Sequence, residues 1–161
     1  MAPEPGGCRL VAVELDTEGP PARGFIEAER LTAIRDLIAE NSFQPTGCKD
    51  RRLHLKLAVR DNRLIFDIAD AKSTPLVRHI LSLSPLARVL REYLQVCDSY
   101  NAAVAAMSPR EVEAIDMGRR GLHNEGAEIL RDRLKDKVDM DFGTARRLFT
   151  LLCALRWRGR E

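Results

Sequence analysis

Residues 53–70, LHLKLAVRDNRLIFDIAD, admit one register and so constrain the fold more than any other part of the chain. Asp61-Asn62 suits a two-residue hairpin turn, because Asp and Asn tolerate left-handed backbone angles. With the turn there, Val59 lies opposite Leu64, Leu57 opposite Phe66 and Leu55 opposite Ile68. All six apolar side chains then share one face, and Lys56 faces Asp67 on the other. A slip of one residue would turn one strand's apolar set toward solvent. A sheet with one apolar face needs a second layer over it.

The rest of the chain offers that layer. Residues 9–16 alternate in strand fashion, with Val11, Val13 and Leu15 on one side. Residues 17–24 hold Gly19-Pro20-Pro21 and Gly24 and read as a loop. A helix follows over residues 25–41, with Ala28, Leu31, Ile34 and Ile38 as its apolar stripe, Leu37 beside it, and Glu29, Asp36 and Glu40 outside. Residues 42–50 read as a second loop. Residues 76–83 form a third strand, apolar enough on both sides to suit burial on both faces. Ser84-Pro85 opens a helix to about residue 105, with Ser84 as cap. Leu86, Val89, Leu90, Tyr93, Val96, Cys97 and Tyr100 make its apolar face. Ser108-Pro109-Arg110-Glu111 is a capping box that starts a helix toward residue 135. Val138, Met140 and Phe142 alternate, and Asp141 caps a last helix with Ala145, Leu148, Phe149, Leu152 and Leu155 inward.

The expected architecture is therefore α+β: an antiparallel sheet of three to four strands (strand, hairpin, third strand) packed against about four helices. Residues 1–8 are a Pro- and Gly-rich tail, and residues 9–161 form a single domain. A Rossmann arrangement is excluded, since no Gly-x-Gly-x-x-Gly follows a strand. With 161 residues, a core needs no metal or disulfide. Cys8, Cys48, Cys97 and Cys153 include no Cys-x-x-Cys pair, so no metal or redox motif and no cofactor is expected. The N-terminus lacks a secretory pattern and no apolar run is long enough to span a membrane, which points to a cytoplasmic protein without membrane contact. Net charge of +2 and 5% aromatic residues argue against a general polyanion or base-stacking surface.

Residues 115–126, IDMGRRGLHNEG, combine three glycines with dense polar chemistry inside a helical pattern. Each glycine costs a helix interior about 1 kcal/mol relative to Ala. Ile115, Gly118, Leu122, Gly126 and Ile129 share one face, where Gly118 and Gly126 would admit close packing. Asp116, Arg119, Arg120 and His123 share a neighbouring face. Two guanidiniums beside an imidazole suit a phosphate or carboxylate, with His123 as proton carrier. Asp116, Arg119, Arg120 and Asn124 are the candidate ligand-binding residues; His123 and Glu125 are the candidate catalytic ones. Asn124 and Glu125 join that site only if the helix breaks at Gly121 or Gly126. An exposed ion-pair ladder is the competing structural reading. His54 should face solvent, and His79 reads as a core histidine. The C-terminal cations Arg146, Arg147, Arg156 and Arg158, with Trp157, could contact nucleic-acid phosphates or simply complement a helix dipole.

Several blocks carry a resemblance: Asn41-Ser42-Phe43, Asn62 through Ile68, Leu81 through Pro85, Ile115 through Gly126, and Thr144 through Leu151. Together they resemble uncharacterised protein family 0262 of alphaproteobacteria, over most of residues 9–159. The resemblance implies a bacterial cytoplasmic protein. It implies no reaction, so no catalytic residue is carried over. The leading expectation is a small binding or regulatory protein without catalysis, whose partner is another protein or a small anionic ligand. The alternative is an enzyme acting on a phosphate ester, nucleotide or RNA through the Arg/His face.

Overall fold

The computed structural model describes residues 7–16, 24–49 and 51–156. Most of the tail, most of the first loop, and Trp157, Arg158 and Arg160 of the basic C-terminus lie outside the described residues.

The hairpin forms in the expected register. β3 (Arg52–Arg60) and β4 (Arg63–Asp70) pair antiparallel with Val59 on Leu64, Leu57 on Phe66, Leu55 on Ile68 and Lys56 on Asp67. Asp61 and Asn62 take φ of 51° and 59°, the left-handed values a two-residue turn of this hand requires. β5 (Pro75–Ser82) pairs with β4, and β1 (Arg9–Asp16) with β3, giving the order β1-β3-β4-β5.

The α+β class, the four strands and the four helices stand, with one correction: β1 runs parallel to β3, so the sheet is mixed. The connection from β1 to β3 contains α1 (Gly24–Ala39), and a crossover carrying a helix is what joins parallel strands. Asn41 locks this crossover. Its side-chain amide donates to Leu10 O (2.9 Å) and Leu37 O (2.6 Å), and its Oδ1 accepts from Leu10 N at 2.8 Å. One side chain thus ties the end of α1 to β1, beside the irregularity between Leu10 and Ala12.

Three further expectations change. Residues 42–50 are not wholly loop: β2 (Phe43–Pro45) pairs antiparallel with β6 (Val138–Met140). β5 is an edge strand with Leu76, Val77 and Ile80 exposed, not a strand buried on both faces. It borders β4 alone, and nothing among the described residues covers its far side. His79 on it is only partly buried. Among the described side chains of α1 the buried ones are Ala33 and Leu37, while Leu31 is 55% exposed and Ile38 is also out.

The helical layer follows the sequence more closely. Pro85 lies in a 3-10 turn (Ser84–Leu86), although Leu83 rather than Ser84 occupies the cap. α2 (Ala87–Ala103) buries Val89, Leu90, Tyr93, Leu94 and Cys97. α3 (Pro109–Leu134) begins at the complete Ser108–Glu111 capping box. α4 (Phe142–Arg156) is capped by Asp141, whose Oδ1 accepts from Thr144 N at 2.8 Å. α4 packs between α1 and α3 over the sheet, which is why eight of its residues are buried, more than one amphipathic stripe supplies. No helix among the described residues is long and apolar enough to cross a membrane.

Candidate functional site

α3 runs unbroken through Gly118, Gly121 and Gly126. Helical spacing therefore decides which side chains meet. Asp116 lies between the two arginines: Arg119 Nη2 donates to its Oδ1 at 2.8 Å, and Arg120 donates to its Oδ2. Those two bonds hold the Asp116 carboxyl below the usual carboxylate range. Arg119 also approaches Glu29 of α1 at 3.8 Å. Burial opposes its charge, but the Asp116 hydrogen bond and the adjacent Tyr93 side chain outweigh that and raise its pKa.

His123 is the first fully buried residue of α3, at 9% exposure. Its ring lies 5.4 Å from that of Tyr93 and 5.2 Å from that of Phe149, centre to centre. Nε2 sits 2.7 Å from Thr150 Oγ1, and Thr150 donates its own hydroxyl proton to Arg146 O at 3.3 Å. The hydroxyl has one proton to give, so Nε2–H is the donor to Thr150 and Nδ1 holds a lone pair. Nδ1 is buried without a hydrogen-bond partner among the described residues. Burial, followed by the charges of Arg146 and Arg119, pushes the His123 pKa down to about 4. The imidazole is therefore neutral at pH 7.

These groups border an open cleft of about 340 Å³ where α1, α3 and α4 meet over Tyr93. Arg119, Arg120 and His123 come from α3, Arg146, Arg147 and Thr150 from α4, and Glu29, Thr32 and Asp36 from α1. Arg147 donates to Glu40 O at 3.1 Å, which leans it toward the end of α1. Arg146 is exposed and enters no ion pair among the described residues. Four guanidiniums face two carboxylates, so the cleft favours an anion.

The candidate residues thus separate. Arg119, Arg120 and His123 line the cleft, and Asp116 braces the two arginines from behind. Glu125 does not reach His123; it pairs with Arg88 of α2 on another side of the helix. Asn124 is not among the cleft residues, and its Oδ1 is buried without a partner among the described residues. Arg146 and Arg147, read from sequence as part of a basic tail, belong to the cleft wall, while Arg156 is exposed at the end of α4. Tyr93, Thr150 and Glu29 carried no signal for a site, because each comes from a different helix. Among the described residues no group of His, Cys, Asp or Glu is arranged to hold a metal ion.

No solved structure matches the chain. Residues 7–158 match the family described as "Uncharacterised protein family (UPF0262)". The UPF0262 protein of Brucella canis is 51% identical over 160 residues, covering 99% of this chain and all of the relative. That of Azorhizobium caulinodans is 51% identical over 162 residues, and that of Mesorhizobium japonicum 51% identical over 154 residues, covering 94% of each chain. The stretches that carried the resemblance in sequence are those that build the hairpin, the Asn41 clamp and the Arg/His wall of the cleft, and the chain belongs to the alphaproteobacterial UPF0262 family.

Proposed function

We propose that this protein binds a small anionic ligand, bearing phosphate or carboxylate, in the cleft between α1, α3 and α4, and that it does so in the cytoplasm as a binding or regulatory protein without catalysis. The observation that carries this reading is the convergence of Arg119, Arg120, Arg146 and Arg147 from two helices on one cleft. Arg146 is the guanidinium with the fewest existing commitments, and a planar fork of donors suits a phosphate or carboxylate. The neutral His123–Thr150 pair gives the floor a polar but uncharged character. The four free cysteines suit a reducing compartment.

A thermal-shift and calorimetric screen tests the reading with inorganic phosphate, nucleotides, sugar phosphates and dicarboxylates. A ligand of the native state raises the melting temperature. Arg146→Ala and Arg147→Ala should each weaken binding about tenfold or more, the scale of one charge-assisted hydrogen bond. Arg131→Ala, exposed on α3 outside the cleft, should leave it unchanged. A panel with no arginine-dependent binder would overturn the reading.

One observation favours a second reading, an enzyme on a phosphate-bearing substrate: the buried, unpartnered Nδ1 of His123, a residue that lines the cleft with Arg119 and Arg120. A neutral imidazole of low pKa would serve there as a base rather than an acid. A turnover lost in His123→Ala would establish that reading and displace the first.

A further inference from the structure

Cys8 and Cys48 stand 40 positions apart in sequence, yet their sulfur atoms are 3.2 Å apart. Cys8 immediately precedes β1, and Cys48 lies in the turn after β2. Gln44 holds the two backbones in place: its Oε1 accepts from Cys8 N at 2.8 Å, and its Nε2 donates to Cys48 O. Gln44 is in turn fixed in β2 by its pairing with Asp139 of β6. The turn itself is closed by Cys48 N donating to Pro45 O at 3.0 Å, with Gly47 at φ 82°.

The two thiols differ in access. Cys8 is 4% exposed, whereas Cys48 is partly exposed and borders a groove of about 220 Å³ with Arg51, Thr46 and Val77. The other two cysteines, Cys97 and Cys153, are buried in the helical layer. A disulfide needs its sulfurs roughly 2.05 Å apart, so side-chain rotation of about 1 Å would bring this pair to bonding distance.

We propose that Cys8 and Cys48 form an oxidation site, in which a peroxide converts the dithiol to an intramolecular disulfide. The accessible Cys48 thiolate attacks the peroxide oxygen, giving a sulfenic acid and releasing the alcohol or water after protonation. The Cys8 sulfur then attacks Cys48 Sγ, forming the S–S bond and expelling hydroxide, which takes up the Cys8 proton to leave as water. Two thiols are oxidised and one peroxide is reduced. An external thiol reverses the step by exchange, becoming a disulfide itself. The bond ties the segment entering β1 to the connection between β2 and β3, where the crossover returns to the sheet. Burial first, and then the neighbouring Cys8 sulfur, raise the Cys48 pKa to about 11. The site is thus slow at neutral pH and responds to sustained rather than brief oxidant exposure.

Hydrogen peroxide treatment of the full-length native protein tests this. Free thiols are then blocked with iodoacetamide and the chain is digested with trypsin without reductant. The expected product is residues 1–9 disulfide-linked to residues 36–49, two hydrogens lighter than the separate peptides and released by dithiothreitol. Cys97 and Cys153 should be alkylated only after denaturation. The oxidised protein should melt about 5 °C or more higher than the reduced one. The link should vanish in Cys8→Ser and in Cys48→Ser. Native oxidation that leaves both thiols free, stops at a sulfinic acid on Cys48, or joins Cys48 to Cys97 or Cys153 would overturn the proposal.

Discussion

Gly126 and its two neighbours on α3 show how one residue type can be required at one site and tolerated at another. A Cβ on Gly126 would reach within 2.7 Å of Phe149 Cδ1 and closer still to Cε1 and Cζ, so the close approach of α3 to α4 depends on its absence. Gly118 and Gly121 meet nothing within 4 Å. Gly126→Ala should therefore cost about 1–3 kcal/mol through overpacking. Gly118→Ala and Gly121→Ala should each stabilise the helix by up to about 1 kcal/mol. Urea denaturation of the three variants separates these signs. His123 supplies a second test, in pH. Its folded pKa of about 4 lies below the ordinary 6.5. The unfolded chain therefore binds the proton more readily, and stability is lost as the pH falls from about 6.5 through 4. The groups facing it are Arg119 of α3, Arg146 of α4 and Tyr93 of α2, and both arginines oppose protonation. This residue should account for about 3 kcal/mol of lost stability across that window. His123→Gln should flatten the profile there, and parallel profiles for variant and parent would refute the assignment.

At the scale of elements, α3 has two halves held by different forces. Its fully buried residues begin at His123, and none lies in the segment from Pro109 to Leu122. That outer half depends on the Ser108–Glu111 box and on the Asp116 pairs with Arg119 and Arg120. Ser108→Ala should cost about 1 kcal/mol and speed amide exchange in the first turns of α3 before any other helix. The box was legible in sequence because capping is local chemistry, and so was the hairpin, where turn and alternation agree on one register. The direction of β1 was harder to read, since alternation is the same in parallel and antiparallel strands; only the helix between β1 and β3 signalled a crossover. β2 is three residues long, too short for a period to register, and the alternation of Val138 and Met140 in β6 named no partner strand. In α1 two apolar stripes compete, and α4 buries the one with the smaller residue, Ala33 with Leu37, because that allows the helices to approach. The site was legible to the same degree. Arg119 and His123 are one turn apart on one helix, whereas Arg146, Thr150, Tyr93 and Glu29 reach the cleft only through tertiary packing. Asn41 shows the limit most clearly: nothing local marks it as the clamp between α1 and β1.

Across the whole molecule, the cleft is built between a firmly held pair of helices and a lightly held one. α4 buries eight residues, and α3 packs Ala127, Leu130 and Leu134 into the same core. Among its described side chains, α1 fully buries only Ala33 and Leu37, and it turns Leu31 and Ile38 outward. Ile34 packs partly buried against the core, and polar ties add to it: the Asn41 clamp at the helix end, the Arg147 bond to Glu40 O, and the long Arg119–Glu29 pair at 3.8 Å. A helix with so few buried apolar contacts opens at lower free energy than the core it covers. Glu29, Thr32, Ala33 and Asp36 of this helix form one wall of the cleft, so an anion held by Arg146 and Arg147 that also accepts from the Thr32 hydroxyl would hold that wall closed. Hydrogen exchange should therefore show α1 amides exchanging at least about tenfold faster than those of α4 in the free protein, a difference of about 1.4 kcal/mol in opening free energy. A saturating anionic ligand should slow exchange in α1 while leaving β3 and β4 unchanged. If α1 exchanged as slowly as α4, or if a ligand dependent on Arg146 protected the sheet instead, the cleft would be a rigid surface feature and α1 would have no part in gripping what binds there.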